Sequence, residues 1–385
     1  MASLLLPLVI LSGCTGSTAP DGVATSSPQP TAPAQAESRP ALCSSTVPTR
    51  FADGVPAGVV SSVTTDASGV TLVATDLYVD EVVVDSGLLY WTLLGAQDGR
   101  IVTAPVGQGA PVVVVDETGE GSPVHLAVAG GRLVWLEVSA SNSGLARVVR
   151  AATDGWDPHA LTGFEPIVDV AYDDAAAYVV EDDAVVRVDL ETGARRTLVS
   201  EPGASIDGVG VSADGADVYF ESSPSDPLPS EGQIVLARVP KTGGDVTAVS
   251  TQRTYGAQVP AGSIAASGSQ TYWSVGGYPT RILSVPDEGG ACASLATTEG
   301  TASMLRPQGD SVFFTSWDLP TPSMYKMPAQ GGTPSLVVPM FGTAGYPTPG
   351  YDGTASRGAI ALDGTNVYFG GFDASLTPAV FCVAQ

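Results

Sequence analysis

Three side chains that could bind a cation or transfer a proton occupy the same position in three successive repeats of this chain. Glu81, His125 and Asp169 each lie nine residues before the centre of a recurring aromatic segment. Two further acids, Asp80 and Asp207, flank the corresponding position of their repeats. Carboxylate oxygens are the ligands that calcium prefers, whereas zinc sites use more than one histidine or cysteine. The pattern therefore predicts a ligand or cation site, with calcium as the cation expected there.

Two arginines, Arg306 and Arg357, are expected on the opposite arc of the same site. The same residues could place a general acid and a general base on opposite sides of a cleft. An enzyme is therefore one open interpretation. Another is a solvated rim with no ligand, because acids are frequent throughout the chain. The long segment 340–356, which holds two tyrosines, is the loop expected to contact a ligand or partner.

The elements that must position these residues repeat along the chain. An apolar segment with an aromatic residue recurs at intervals of 44, 44, 41, 53, 41 and 55 residues. Strand repeats of about 40–50 residues are typical of propeller blades. The repeat centres are Tyr90, Val134, Tyr178, Tyr219, Tyr272, Phe313 and Tyr368.

Each repeat also holds a second apolar strand, a glycine turn and a further strand, so each unit is predicted to be a four-stranded antiparallel sheet. The last repeat ends after its third strand, at 380–383, while Thr71–Ala74 matches a fourth strand with no repeat before it. We therefore predict an all-β, seven-bladed propeller of four-stranded blades, in which the N-terminal strand completes the last blade. The repeat aromatics are expected to pack between blades.

The segment Tyr90-Trp91-Thr92 resembles the YWTD repeats of low-density-lipoprotein-receptor-type propellers, and Tyr272-Trp273-Ser274 is a weaker match. Leu93 and Val275 stand where that motif has aspartate, and those receptor propellers have six blades. The resemblance implies a propeller fold over residues 70–385. It implies no receptor ligand.

The N-terminus indicates where the protein is located. An apolar run from residue 3 to 11 fits a secretory signal, and it is too short to span a membrane. The segment Leu11-Ser12-Gly13-Cys14 resembles the lipobox of bacterial lipoproteins. That resemblance implies cleavage before Cys14 and attachment of a diacylglycerol to its thiol. It predicts a protein of the bacterial cell envelope, anchored in the outer membrane and facing the periplasm or the cell surface.

Four regions follow from this composition. They are a signal peptide at 1–13, a lipidated Ser/Thr/Pro/Ala-rich tether at 14–42, an extension packed on the ring at 43–69, and the propeller at 70–385. A tether with so few large apolar residues cannot bury enough surface to fold.

The remaining cysteines are Cys43, Cys292 and Cys382, and an extracytoplasmic location favours disulfides. A bond between Cys43 and Cys382 would fix the closure of the ring, with Cys292 left over. A bond between Cys43 and Cys292, or three buried thiols, are the alternatives.

Charge restricts the partners. The chain has 40 acidic and 16 basic residues, a net charge of -24, which argues against nucleic acid. The sequence holds no nucleophile elbow, EF-hand loop or phosphate-binding lysine motif. We therefore expect a lipid-anchored binding propeller whose partner is a protein or glycan of the cell envelope. The alternative is an extracytoplasmic propeller enzyme of the lyase, glycosidase or lactonase type.

Overall fold

In the computed structural model, the described residues are 60–65, 71–75, 78–94, 99–106, 111–116, 121–155, 157–181, 183–212, 215–224, 231–255, 264–267, 269–275, 279–287, 291–318, 321–339, 360–372 and 378–384. Every regular element among them is a β-strand, and no helix in these ranges is long and apolar enough to cross a membrane.

The strands follow one another in sheets arranged in chain order. The first strands in the described ranges are β1 (Val60–Thr65) and β2 (Thr71–Thr75). Blade 1 contains β3 (Tyr78–Asp85), β4 (Leu88–Leu94), β5 (Gly99–Pro105) and β6 (Val112–Asp116). Blade 2 contains β7 (Gly121–Ala129), β8 (Arg132–Ser139), β9 (Asn142–Ala152) and β10 (His159–Ala160). Blade 3 contains β11 (Asp169–Tyr172), β12 (Ala176–Glu181), β13 (Ala184–Asp189) and β14 (Arg195–Ser200).

The second half continues the same order. Blade 4 contains β15 (Ala204–Val211), β16 (Asp217–Pro224), β17 (Glu231–Pro240) and β18 (Thr247–Tyr255). Blade 5 contains β19 (Ile264–Ser267), β20 (Gln270–Val275), β21 (Thr280–Pro286) and β22 (Ala293–Thr298). Blade 6 contains β23 (Thr301–Gln308), β24 (Ser311–Asp318), β25 (Thr321–Pro328) and β26 (Ser335–Pro339). The last strands in the described ranges are β27 (Ile360–Leu362), β28 (Asn366–Phe372) and β29 (Pro378–Ala384).

The prediction of seven four-stranded blades is wrong. Six sheets have four strands, and the sheet that joins the two ends of the chain has five, in the order β1-β2-β29-β28-β27. We call this five-stranded sheet the closing sheet. The additional strand is β1, whose Thr65 pairs with Thr71 and whose Val60 pairs with Thr75. β1 forms a hairpin with β2, so the main-chain N–H and C=O groups along one edge of β1 are hydrogen-bonded.

The predicted pairing of the two chain ends is present. Thr71 pairs with Cys382, and Ala74 pairs with Ala379, so β2 lies antiparallel to β29. The closing sheet contacts blade 1 through β27, β28 and β29 against β3, and it contacts blade 6 through β27 against β23. The first and last repeats are therefore joined by hydrogen bonds as well as by packing.

The core consists of apolar clusters, one between each pair of neighbouring sheets, and the repeat aromatics lie in them. Trp91 packs with Tyr368 between the closing sheet and blade 1. Tyr90 and Trp135 share the cluster between blades 1 and 2. These four side chains are at most 2% exposed. The prediction that the repeat aromatics pack between blades is confirmed.

Two of the turns between the first and second strands use the same polar pair. The hydroxyl of Tyr178 donates to Asp173 at 2.9 Å, and that of Tyr368 donates to Asp363 at 2.7 Å. Although burial raises it, donors from Thr365, Asn366 and Tyr368 hold the pKa of Asp363 at about 2. An aspartate five residues before the repeat tyrosine thus stabilises the turn as a carboxylate.

Close packing at the ring closure gives a test. A Cβ added to Gly370 of β28 would lie 2.8 Å from Val79 Cγ1 on β3. We expect Gly370→Ala to lower the free energy of unfolding by about 1–3 kcal/mol, the usual cost of overpacking. Urea denaturation measures this. Gly163→Ala, whose added Cβ meets nothing within 4 Å, is the control; an equal loss in both variants would contradict tight packing at the closure.

Candidate functional site

The first strand of each sheet borders the central axis of the ring. These first strands contact one another from sheet to sheet, as in the pairs β3 with β7, β11 with β15, and β19 with β23. Each lies at one edge of its sheet. We call the end of the channel at which these strands begin its upper end. All the predicted site residues that the structure describes lie on first strands.

A β-bulge interrupts the first strand at the predicted site positions of three blades. The regular pairing breaks between Val79 and Val82, between Val124 and Ala127, and between Ile206 and Gly208. The residues inside these breaks include Asp80, Glu81, His125 and Asp207. Bulges re-aim side chains and are frequent next to active sites.

The first strands of blades 2 and 6 also hold a residue in the left-handed region. His125 has a φ of 52° and Met304, in the bulge of blade 6, has a φ of 56°. Such values are uncommon for residues other than glycine, and a methionine has no side-chain group that favours them. The strain at these two positions is compensated by surrounding packing, and residues of this kind cluster at functional sites.

Glu81 and Arg306 meet although their blades are not neighbours. Arg306 Nη2 lies 3.9 Å from Glu81 Oε1. The closing sheet is the one sheet that separates blade 6 from blade 1 around the ring, so this contact joins the first strands of two blades that are not neighbours. The two side chains are 42% and 16% exposed, and a partly exposed pair of this kind contributes about 1 kcal/mol or less. The backbone N–H of Glu81 donates to Thr92 Oγ1 at 3.0 Å, which fixes the bulge.

Asp169 is buried and joins two blades. It is 1% exposed. Its Oδ1 accepts the N–H of Val170 at 2.7 Å, and its Oδ2 accepts the N–H of Val209, on β15, at 2.9 Å. This carboxylate therefore connects blades 3 and 4 in addition to placing negative charge near the axis.

Asp207 lies close to a second, buried carboxyl group. Asp207 accepts the hydroxyls of Ser205 at 2.8 Å and of Ser223 at 3.3 Å. Glu221, opposite Gly208 in the register and 4% exposed, accepts the indole N–H of Trp273 at 2.6 Å through Oε2. Its Oε1 has no hydrogen-bond partner among the described residues.

The pKa of Glu221 is raised to about 8, first by burial and then by the charges of Asp207 and Asp169, against the opposing effect of the Trp273 hydrogen bond. The group therefore holds its proton at neutral pH, unlike an ordinary glutamate. Sequence reasoning missed Glu221. The sequence feature that could have indicated it is an acidic residue directly after the apolar segment Val218-Tyr219-Phe220, at a position expected to be buried.

Tyr172, at the end of β11, is the other residue that sequence reasoning missed. Its hydroxyl is buried and has no hydrogen-bond partner among the described residues. Burial raises the pKa of Tyr172 well above its usual value, and the charges of Glu81 and Asp169 raise it further. Glu81 belongs to blade 1 and Tyr172 to blade 3, so the charge of one blade acts on a group of another.

Of the predicted site residues, the structure shows Glu81 in contact with Arg306, and the charges of Asp169 and Asp207 both act on Glu221. Asp80 and His125 lie in the bulges of blades 1 and 2. Arg357 and the 340–356 loop lie outside the described residues. Within the described ranges, no group of three or more His, Cys, Asp or Glu side chains is arranged to hold a metal ion. The expected calcium ion therefore has no set of ligands in that part of the chain.

The predictions for the N-terminal residues, including Cys14 and Cys43, also fall outside the described ranges. Of the two cysteines that the structure describes, neither Cys292 nor Cys382 is a free thiol. The pairing of Cys43 with Cys382 stays a prediction.

Comparison with known proteins shows the fold. No protein-family model and no curated protein matches this chain. Among solved structures, an oligogalacturonate lyase from Vibrio parahaemolyticus is 12% identical, with a TM-score of 0.60 over 85% of this chain and 97% of that one. A chain of the Mitotic Checkpoint Complex is 13% identical, with a TM-score of 0.53 over 79% of this chain and 89% of that one.

This chain is a β-propeller. A third similar structure, the propeller domain of the Trilobed protease from Pyrococcus furiosus, is 9% identical with a TM-score of 0.50, covering 81% of this chain and 97% of that one. It is described as having an open velcro topology, whereas β2 pairs with β29 here. These propellers include an enzyme and a member of a protein complex, so the fold is shared and the function is not.

The buried carboxyl of Glu221 predicts an unusual pH dependence. Its pKa is higher in the folded than in the unfolded chain, so the folded state binds the extra proton and stability falls as pH rises from about 4.5 towards 8. We expect Glu221→Gln, which keeps an acceptor for Trp273, to flatten this fall. Melting temperatures between pH 5 and pH 9 measure it.

The control is Glu299→Gln, which changes an exposed carboxylate and is expected to leave the wild-type profile unchanged. A Glu221→Gln profile as steep as that of the wild type would show that Glu221 is not the group responsible.

Proposed function

We propose that this protein is a lipid-anchored, extracytoplasmic propeller that binds a partner of the bacterial cell envelope at the upper end of its channel. The observation that supports this most directly is the contact between Glu81 of blade 1 and Arg306 of blade 6, whose charged atoms lie 3.9 Å apart. Charged side chains from separate blades thus meet at one place. A rigid ring that presents convergent polar groups is the usual form of a binding site.

The anchor in this proposal rests on the N-terminal sequence. An apolar run precedes Leu11-Ser12-Gly13-Cys14, and a Ser/Thr/Pro/Ala-rich tether follows to residue 42. A tether of this length and composition has a reach on the order of 30 Å. Acylation with more than one chain gives a stable attachment, so the propeller would sample the space next to the membrane. The outer membrane is the proposed location.

The charge of the chain supports a protein or glycan partner that is not anionic. The net charge of -24 repels nucleic acid and acidic polymers. The acidic residues at the channel end add a local attraction for basic groups. Electrostatic complementarity of this kind sets partner choice and association rate.

Capture of the partner tests the proposed surface. Tagged full-length protein is crosslinked in cells, and crosslinked species are compared between the wild type and the double variant Glu81→Gln with Asp207→Asn. The complex should disappear in the double variant and persist in Glu299→Gln. A complex of equal yield in the double variant would remove the channel end as the binding surface.

One observation favours a second candidate, an enzyme. Glu221, with a pKa of about 8, could give up or accept a proton near neutral pH. The lyase of similar fold acts on oligogalacturonate, which is a polyanion, and a chain of charge -24 is poorly suited to bind one. A neutral glycan would fit better. Cleavage of neutral oligosaccharides by the wild type, lost in Glu221→Gln, would favour the enzyme.

The lipid anchor has its own test. We expect Cys14→Ser to move the protein from the membrane pellet to the soluble fraction, because the hydroxyl of serine cannot form the thioether to lipid. Fractionation with a salt wash and immunoblotting measures it. Cys43→Ser is the matched control and should stay in the pellet. Retention of the Cys14→Ser variant after the wash would contradict lipidation at this residue.

A further inference from the structure

We propose that residues 161–168 form a strap whose attachment to blades 2 and 3 is controlled by a single proton, so that the strap is held in acidic solution and loosens as the pH approaches neutrality. The strap is the connection from β10, at the outer edge of blade 2, to β11, at the inner edge of blade 3. This inference goes beyond the proposed binding function and does not depend on it.

Main-chain hydrogen bonds attach the strap to both blades. On blade 2, Ala146 and Glu165 exchange two bonds of 2.8 Å. On blade 3, the N–H of Val168 donates to the carbonyl of Val180 at 2.8 Å. Between these bonds, Ile167 is buried and packs in the apolar cluster that the two blades share. The strap therefore contributes to the contact between blades 2 and 3.

One arginine joins the strap to blade 3. Arg195, on β14, donates through Nη1 to Glu165 Oε1 and through Nη2 to Glu181 Oε1, and the second of these bonds is 2.5 Å long. Glu181 ends β12, and its side chain lies on the same face as Ala177 and Val179, which pack against blade 2. The donors of a guanidinium are fixed in one plane, so the two carboxyl groups that share Arg195 are held close together.

The pair of carboxyl groups lacks one hydrogen-bond donor. Oε2 of Glu165 is buried and has no hydrogen-bond partner within the described ranges. A protonated Glu181 would supply an O–H donor beside it and would remove the repulsion between two negative charges. Burial raises the pKa of Glu181 to about 7, and the contact with Glu165 and its charge act in the same direction, against the charge of Arg195. Glu181 thus holds this proton in mildly acidic solution.

The charged groups that act on Glu181 are Glu165 and Arg195. Charged side chains of the neighbouring elements make contacts of their own. These are Arg187 of β13 with Asp189 at 3.4 Å, Asp169 of β11 with the N–H of Val209 in blade 4, and Arg147 of β9 with Glu137 at 2.8 Å.

The direction of the pH effect follows from the raised pKa. An ordinary glutamate has a pKa of about 4.5, so Glu181 binds its proton more tightly when the strap is attached than when it is detached. The stabilisation of the attached strap is therefore complete below about pH 4.5, is lost as the pH rises to about 7, and changes little at higher pH. Above pH 7, Arg195 balances only one of the two carboxylates.

Loosening of the strap changes the surface that the protein presents. Phe164 and Val168 are already 38% and 42% exposed, while Ile167 is 8% exposed. Detachment would add Ile167 to the two apolar side chains beside it. The apolar area exposed at this place would thus increase between acidic and neutral pH.

The test measures hydrogen–deuterium exchange of the full-length protein by mass spectrometry between pH 5 and pH 8, corrected for the intrinsic pH dependence of amide exchange. Exchange of this kind reports local opening. We expect protection of peptides covering 161–168 to fall about tenfold between pH 5 and pH 7 and then to level off, since one unit of pKa difference corresponds to about a factor of ten. Peptides of blades 5 and 6 are the internal reference.

Two variants remove the repulsion at every pH. Glu181→Gln does not ionise and keeps an N–H donor for Glu165, so protection of the strap should not change with pH. Glu165→Gln removes the other charge and should give the same result, which keeps the test valid if one variant does not fold. Arg195→Gln should move the pH at which the loss levels off to a higher value, because the guanidinium charge favours the ionised form of Glu181.

Glu221→Gln and Glu299→Gln are the controls, and both should leave the pH dependence of the strap as it is in the wild type. Equal protection of the wild-type strap at pH 5 and pH 7 would overturn the proposal. So would a fall of the wild-type size in both Glu181→Gln and Glu165→Gln, or a fall of equal size in the peptides of blades 5 and 6, because neither result would come from this pair of carboxyl groups.

Discussion

The packing of each sheet against its two neighbours is the interaction on which this structure depends. A single four-stranded sheet has two faces to cover, and only the adjacent sheets of the ring can cover them. Trp91, Trp135 and Trp273 fill these interfaces and are at most 1% exposed. An open array would leave one face of its first sheet and one face of its last sheet uncovered, whereas the closing sheet, completed by the pairing of β2 with β29, covers both. Closure of the ring is thus a condition for the stability of every blade.

The same constraint explains why charged groups gather at the channel end. The second strands are buried between neighbouring sheets. The first strands lie at the inner edge of each sheet, where they contact one another around the axis. Bulges occur on these strands at Asp80–Glu81, at His125 and at Asp207. Register shifts also occur between the third and fourth strands of five blades. The price is local strain at His125 and Met304.

Much of the fold could be predicted from the sequence because the inter-blade cores need a large apolar residue at the same register in each repeat. Tyr90, Tyr178 and Tyr368 mark that register. The positions of Glu81 and Asp169 on first strands could be predicted for the same reason. Each lies nine residues before its repeat centre, and this spacing corresponds to a position on the first strand of the blade. The strand count failed at β1, because Val60–Thr65 matches no repeat and its pairing depends on β2.

The site was less predictable than the fold. Glu221 lies on the second strand of blade 4, a strand whose side chains mostly pack in the apolar core. Its hydrogen-bond partner Trp273 belongs to blade 5, so the sequence around Glu221 does not indicate the contact. The contact of Glu81 with Arg306 depends on the diameter of the ring, which no local pattern encodes. No glycine marks the left-handed positions at His125 and Met304. These features come from contacts between distant parts of the chain.

The direction of β1 has a consequence for orientation. Val60, where this strand begins, pairs with Thr75, and β3 begins three residues later at Tyr78. The chain therefore enters the ring on the face at which the first strands begin. If the anchor proposed for Cys14 holds the protein at a membrane, the number of residues between Cys14 and Val60 limits how far this face can lie from the lipid.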